Sequence, residues 1–208
     1  MPRYSAAQKD ALNSLMRDQV YEHAVNILEN LGAESLTLER LADRIGVSRG
    51  TLYNYFVDRQ AIIEFVEERA FSPVLAEIEA ILEHDETATR KLESLIKKAV
   101  GTLLENPKIY FELSAAHTKS RKRTDPQEKR VSRIHKTVKK IVQEGIEASE
   151  FIAMTAELSA TIILGSMEGV MDELGRTEAP IARDEIVPAL LAIILGGLTR
   201  GNYVGEWS

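Results

Sequence analysis

The chain of 208 residues contains no cysteine. Disulfides, thiolate metal sites and cysteine nucleophiles are excluded with it. It has no long apolar run either. The stretch Ile186–Thr199 is free of charge, but it is shorter than the roughly 18 residues a spanning helix needs. The opening MPRYSAAQKD has no apolar segment of the secretory kind, so a cytoplasmic protein without a membrane span is expected. No run alternates apolar and polar residues over strand length, and no Asn-Gly or Asp-Gly pair marks a hairpin. Nothing repeats at a fixed period. The four histidines show no metal-ligand spacing, so neither a metal nor another cofactor is expected. There is no nucleophile–base pair and no glycine-rich phosphate loop after a strand, so an enzyme is not expected.

What is present is an ordinary globular composition, 44% hydrophobic and 28% charged, long enough for a sizeable core. The net charge of −6 does not by itself suggest a nucleic-acid partner. It hides an asymmetry. Residues 119–140 carry ten Lys and Arg against two acids, a charge of +8 that leaves −14 for the remainder. Residues 1–60, with seven bases and eight acids, are close to neutral. Local geometry must supply there what net charge does not.

Nearly every segment has a helical period. Val20, Ala24, Ile27, Leu28 and Leu31 form one stripe, ended by Gly32. Thr37 can cap a second helix carrying Leu38, Leu41, Ala42 and Ile45, and Ser48 a third carrying Leu52. A long helix is predicted from Asp58 to Leu82, kinked or broken at Pro73. Others are predicted at 87–105, 107–119, 127–148, 150–174 and 185–199. The expected fold is all-α, about nine helices, the three in the first 57 residues short and the rest long. Residues 1–57 are expected to form one domain and 58–208 a second, larger one.

The informative stretch is Thr37 to Phe56. Two short helices meet at Ile45-Gly46-Val47, where Gly46 permits the positive φ of a tight turn. Ser48 can cap the helix that follows. This is the grammar of a helix-turn-helix, in which one helix props a second into the major groove. Leu52 and Phe56 face the core, which leaves Arg49, Gly50, Thr51, Tyr53, Asn54 and Tyr55 for a partner. Arginine can grip guanine, asparagine can grip adenine, and a threonine methyl can pack on thymine. Tyr53 and Tyr55 can donate to phosphates, and Arg59 can add a cation beside them. The two tyrosines also suit a purely structural role, closing a small three-helix core, and Arg40 and Arg44 suit plain surface charge.

These residues resemble the tetracycline-repressor (TetR/AcrR) family of bacterial transcriptional regulators. The pattern runs from Ala24 and Gly32 through Thr37, Leu41-Ala42, Gly46-Val47-Ser48, Gly50, Leu52-Tyr53 and Tyr55-Phe56 to Arg59 and Ile62. Ile45 stands where members usually have alanine, and Arg59 where they usually have lysine. The resemblance implies phosphate contacts from Thr37, Ser48, Tyr53, Tyr55 and Arg59, and base contacts from Arg49, Gly50, Thr51 and Asn54. It implies a homodimer on a palindromic double-stranded operator and a small-molecule effector in the larger domain.

For the pairing surface, the apolar last two helices offer Leu158, Ile162, Gly165, Gly169, Val170, Leu190, Ile194 and Gly197. Helices apolar on every side are expected to be buried on every side. They could also form an intramolecular core alone. For the effector site the candidates are Tyr110, Phe111, His117, His135, Met167, Glu168 and Met171, soft or polar groups among apolar ones. The basic segment 119–140 reads as a solvated face, an anionic-ligand site or a contact for acidic partners. The function expected is a ligand-released repressor. The alternative is a DNA-binding protein that needs no ligand and serves an architectural or protein-docking role.

Overall fold

The computed structural model describes residues 5–118, 125–176 and 182–199. Among these there are nine α-helices and no strand, as the periodicity predicts. They are α1 (Ala6–Leu31), α2 (Leu38–Ile45), α3 (Arg49–Tyr53), α4 (Arg59–Ala80), α5 (Ala88–Glu105), α6 (Pro107–Thr118), α7 (Asp125–Glu147), α8 (Ala156–Arg176) and α9 (Arg183–Leu198). Two compact units contain them. The first comprises Met1–Ser72 and Lys108–Arg123, the second Pro73–Pro107 and Thr124–Ser208.

The first unit is built on α1. Its Val20, Ala24, Ile27 and Leu28 are fully buried with Leu41 of α2, Leu52 of α3, and Ile62, Ile63 and Val66 of α4. Ile109 and Leu113 of α6 complete this core. Burial of each large aliphatic side chain contributes about 1.5–3 kcal/mol before chain entropy is counted. α1 is not short as expected: it has 26 residues. Ser5 and Gln8 cap each other's backbone N–H groups at 2.9 and 3.2 Å, so the helix starts well before its apolar stripe. Leu31, read as part of that stripe, is 46% exposed.

α4 starts where Asp58 accepts from the N–H of Ala61 at 2.8 Å. Of the kink or break expected at Pro73, the break is absent: the helix runs through the proline. The division between the units falls at this proline. α4's Ile62, Ile63 and Val66 serve the first core, and its Leu75 and Ile78 are buried in the second unit.

In the second unit α5 packs on α7 and α9, α7 on α8, and α8 on α9. Lys91 of α5 is buried but paired, donating to Glu144 at 3.0 Å and to the carbonyl of Leu82 at 3.1 Å. A buried cation needs that company.

The helix predicted from 150 begins instead at Ala156. The chain leaves α7 through Ser149 at φ 60° and folds Phe151 back onto Gly145. A Cβ at Gly145 would sit 2.2 Å from the phenyl ring, so only glycine admits this packing. Glu150 then accepts from the N–H groups of Ala88 and Thr89 and from the Thr89 hydroxyl, at 3.1, 2.9 and 2.8 Å. A carboxylate that closes the start of α5 is worth more here than another helical turn.

Candidate nucleic-acid interface

The geometry of residues 37–56 follows from its caps. Thr37 Oγ1 accepts from the N–H of Arg40 at 3.2 Å, which starts α2. Gly46 takes the left-handed conformation, φ 80° and ψ 31°. The Ala42 carbonyl accepts from both Gly46 and Val47, at 2.9 and 3.0 Å, and this ends α2 and turns the chain. Ser48 Oγ accepts from the N–H of Thr51 at 3.0 Å and starts α3. Leu52 is fully buried and Phe56 nearly so. That anchors one side of α3 and turns the other outward. Ser48, Arg49, Gly50, Tyr53 and Asn54 are exposed, while Thr51 and Tyr55 are half-buried. Tyr53 is 43% exposed, so it does not close the core.

The arginines are placed less simply. Arg49 ion-pairs with Glu39 of α2. It also donates to the Tyr53 hydroxyl at 3.3 Å, one turn along. That hydrogen bond and the charge of Glu39 hold its guanidinium above the ordinary arginine pKa. Arg59 is half-buried. Its Nε donates to the Leu36 carbonyl at 2.9 Å and an Nη to the Ala33 carbonyl at 2.6 Å. The guanidinium expected to meet phosphate thus clamps the loop between α1 and α2 onto the start of α4. Arg40 donates to the Ser35 carbonyl at 3.2 Å, and Arg44 to Asn26 at 2.5 Å.

An open polar hollow beside α3 is lined by Thr51, Asn54 and Tyr55 and by Asn13 and Arg17 of α1. The last two were not anticipated. Their i, i+4 spacing on a helix capped at Ser5 was the available signal, but the apolar stripe that defines α1 in the sequence starts only at Val20.

Residues 20–66 match the family model described as bacterial regulatory proteins, tetR family. Residues 20–66 are therefore of the tetR type. The chain is 33% identical over 96 residues to the nucleoid occlusion factor SlmA of Aliivibrio fischeri, 44% of this chain and 47% of that protein. It thus spans about half the length of that curated relative. It is 37% identical over 57 residues to the class C tetracycline repressor protein of Escherichia coli, 27% of this chain and 26% of the repressor. The fold is similar to that of the transcriptional regulator FadR from Bacillus subtilis, solved in complex with stearoyl-CoA. That likeness has a TM-score of 0.74 at 17% identity and covers 86% of this chain and 98% of FadR.

The expected effector residues are divided between the two units. Tyr110 and Phe111, in edge contact at 5.5 Å, belong to the first unit together with His117, whose side chain lies outside the described residues. The other four are in the second unit. Met167 and Met171 are buried core, and Glu168 is exposed. His135 meets the Thr161 hydroxyl at 3.2 Å and faces Glu157 at 3.8 Å.

The pairing candidates also divide. Leu158 and Ile162 are each 55% exposed, Gly165, Gly169 and Gly197 are exposed, and Val170 is half-buried. Leu190 and Ile194 are buried in the chain's own core, and Ile193 is 73% exposed beside them. The last two helices are therefore not buried on every side within one chain.

Of the basic segment, residues 119–124 lie outside the described residues. Within α7, Arg133 pairs with Glu79 at 2.7 Å and Lys139 with Glu157 at 2.6 Å. Among the described residues no group of three acidic or imidazole side chains could hold a metal. No helix there is long and apolar enough to cross a membrane.

Proposed function

We propose that the protein is a homodimeric transcriptional repressor that binds a palindromic operator through α3 and is released by a small molecule held in its larger C-terminal part, residues 58–208. One observation carries the DNA-binding reading. A Ser48-capped helix buries Leu52 while presenting Arg49, Gly50, Tyr53 and Asn54. Polar side chains on a rigidly anchored short helix suit the edges of base pairs. Gly50 keeps the approach open, since a Cβ there would meet nothing closer than the Ser48 hydroxyl at 3.9 Å. Two such domains related by a two-fold axis read a palindrome. Release follows by linkage. An effector that binds better to a conformation with mis-spaced recognition helices weakens DNA binding by the same factor. FadR, with its stearoyl-CoA, makes acyl-CoA thioesters the first effectors to try.

The test is selection of binding sites from fragmented genomic DNA of the source organism at two salt concentrations. A palindromic site is expected, with binding reduced about tenfold in Tyr53→Ala, which removes a phosphate contact, and in Asn54→Ala, which removes a base contact. Recovery of no site, or of a site both variants bind normally, overturns the assignment of α3.

A second reading is favoured by the relatives named nucleoid occlusion factors: a DNA-binding protein that docks other proteins and takes no effector. An effector that raises the melting temperature and lowers operator affinity supports the repressor. A site bound identically with every candidate present supports the second reading.

A further inference from the structure

Six arginines lie between residues 5 and 72, and five of them donate to protein acceptors. Arg40, Arg44 and Arg59 donate to Ser35, Asn26 and the Ala33 and Leu36 carbonyls, Arg49 to Tyr53, and Arg69 pairs with Asp18. Arg17 is the sixth. It is exposed, and no carboxylate among the described residues pairs with it. Its guanidinium carbon lies 5.6 Å from the centroid of Phe56 and 5.3 Å from that of Phe65. The two rings lean on each other at 5.2 Å. A guanidinium held against two ring faces, with no carboxylate paired to it, keeps N–H donors for an acceptor, and its position is set before the acceptor arrives.

The direction of that edge matters. Arg17 and Asn13, one turn apart on α1, share an open hollow with Thr51, Asn54 and Tyr55. Lys9 continues the same helical face another turn out, exposed and without a partner among the described residues. A planar fork and an amide donor therefore flank the end of α3, with an ammonium farther along the same face of α1, on a surface that otherwise has little spare positive charge. Five donors in a fixed fork suit a phosphodiester oxygen pair. Backbone phosphates lie beside any groove that α3 could read.

We infer that Arg17 and Asn13 form a clamp for a DNA backbone phosphate, set by α1 alongside the base-reading face of α3. The inference rests on the DNA-binding reading above, and it shifts the phosphate-facing cation from Arg59 to Arg17. A phosphate contact weakens every sequence alike when removed and lowers the salt dependence of binding, whereas a base contact affects only the operator.

The experiment measures affinity of the full chain for its selected operator and for a scrambled duplex over a series of salt concentrations. Arg17→Gln is expected to lose about tenfold on both duplexes, with the log–log salt slope shallower by about 0.9 for each subunit. Asn13→Asp, which touches neither ring, places a negative charge at the clamp and is expected to weaken both duplexes similarly. It carries the test if Arg17→Gln fails to fold. Wild-type affinity and slope in both variants, or a loss confined to the operator, overturns the clamp while leaving the DNA-binding reading intact. Failure of the wild type to select any duplex removes that reading, and the clamp with it.

Discussion

Arg59 shows what a side chain's type and position leave out. A cation at the start of a helix next to a recognition element reads as a phosphate contact. Its partners in the fold are instead the carbonyls of Leu36 and Ala33, at 2.9 and 2.6 Å. Hydrogen bonds from a charged donor are worth about 1.5–3 kcal/mol each, and removing the donor leaves two part-buried carbonyls without it. Arg59→Met should therefore lower unfolding stability in urea by about 2–4 kcal/mol. Arg59→Lys should recover only part of it, since an ammonium cannot reproduce the fork. The salt slope of DNA binding should stay at the wild-type value in both. A reduced slope with unchanged stability would return Arg59 to the phosphate. Gly46 shows the opposite case, because a glycine between two capped helices states its own φ. Gly145 did not: the reason for it is the ring of Phe151, six residues on, and no local pattern announces that contact.

At the level of elements, the helices of the tetR-type domain were legible because their caps and stripes lie within a few residues of each other. Thr37, Gly46 and Ser48 bound α2 and α3 where the sequence places them. Boundaries set by distant partners were not. The start of α8 is displaced from 150 to Ala156 because Glu150 is drawn to the N-terminus of α5. This contact has a pH signature. Burial pushes the Glu150 carboxyl up, but the N–H and hydroxyl of Thr89 and the N–H of Ala88 outweigh it and hold the group below its ordinary 4.5. The depressed value means that the native state favours the carboxylate. Its contribution is complete above the unfolded pKa and is lost as pH falls through the native one. Glu150→Gln should cost about 1–2 kcal/mol at pH 7. The gap between wild type and variant should close as the pH is taken below about 4.5, the ordinary carboxylate value. Chemical denaturation at a series of pH values checks both statements. A gap independent of pH would mean that the carboxylate's charge contributes nothing there.

For the whole molecule, composition showed that the last two helices are apolar but could not show which side of each meets its own chain. The chain's own packing makes that choice, burying Ile163, Met167, Met171, Leu190 and Ile194 and leaving Leu158, Ile162 and Ile193 exposed. On α8 the uncovered residues Leu158, Ile162, Gly165 and Gly169 follow one another at i, i+4, i+7 and i+11, a single stripe along the helix. Large side chains followed by glycines along that line offer a second copy both apolar area and close backbone approach. A two-fold pairing on this stripe would place each residue against its own copy or near it. Ile162→Glu would then bring two carboxylates together in an apolar seam, which is costly for the dimer, while the isolated chain keeps that position in water. The variant is expected to sediment as a monomer with helical content and melting unchanged apart from the lost association. Its operator affinity is expected to fall by about 100-fold or more, because each half-site is then bound without the effective concentration its partner supplies. A variant that remains dimeric places the two-fold axis elsewhere. One that is monomeric yet binds the operator as tightly as the wild type shows that each domain reads its site alone, and the palindrome is then not required.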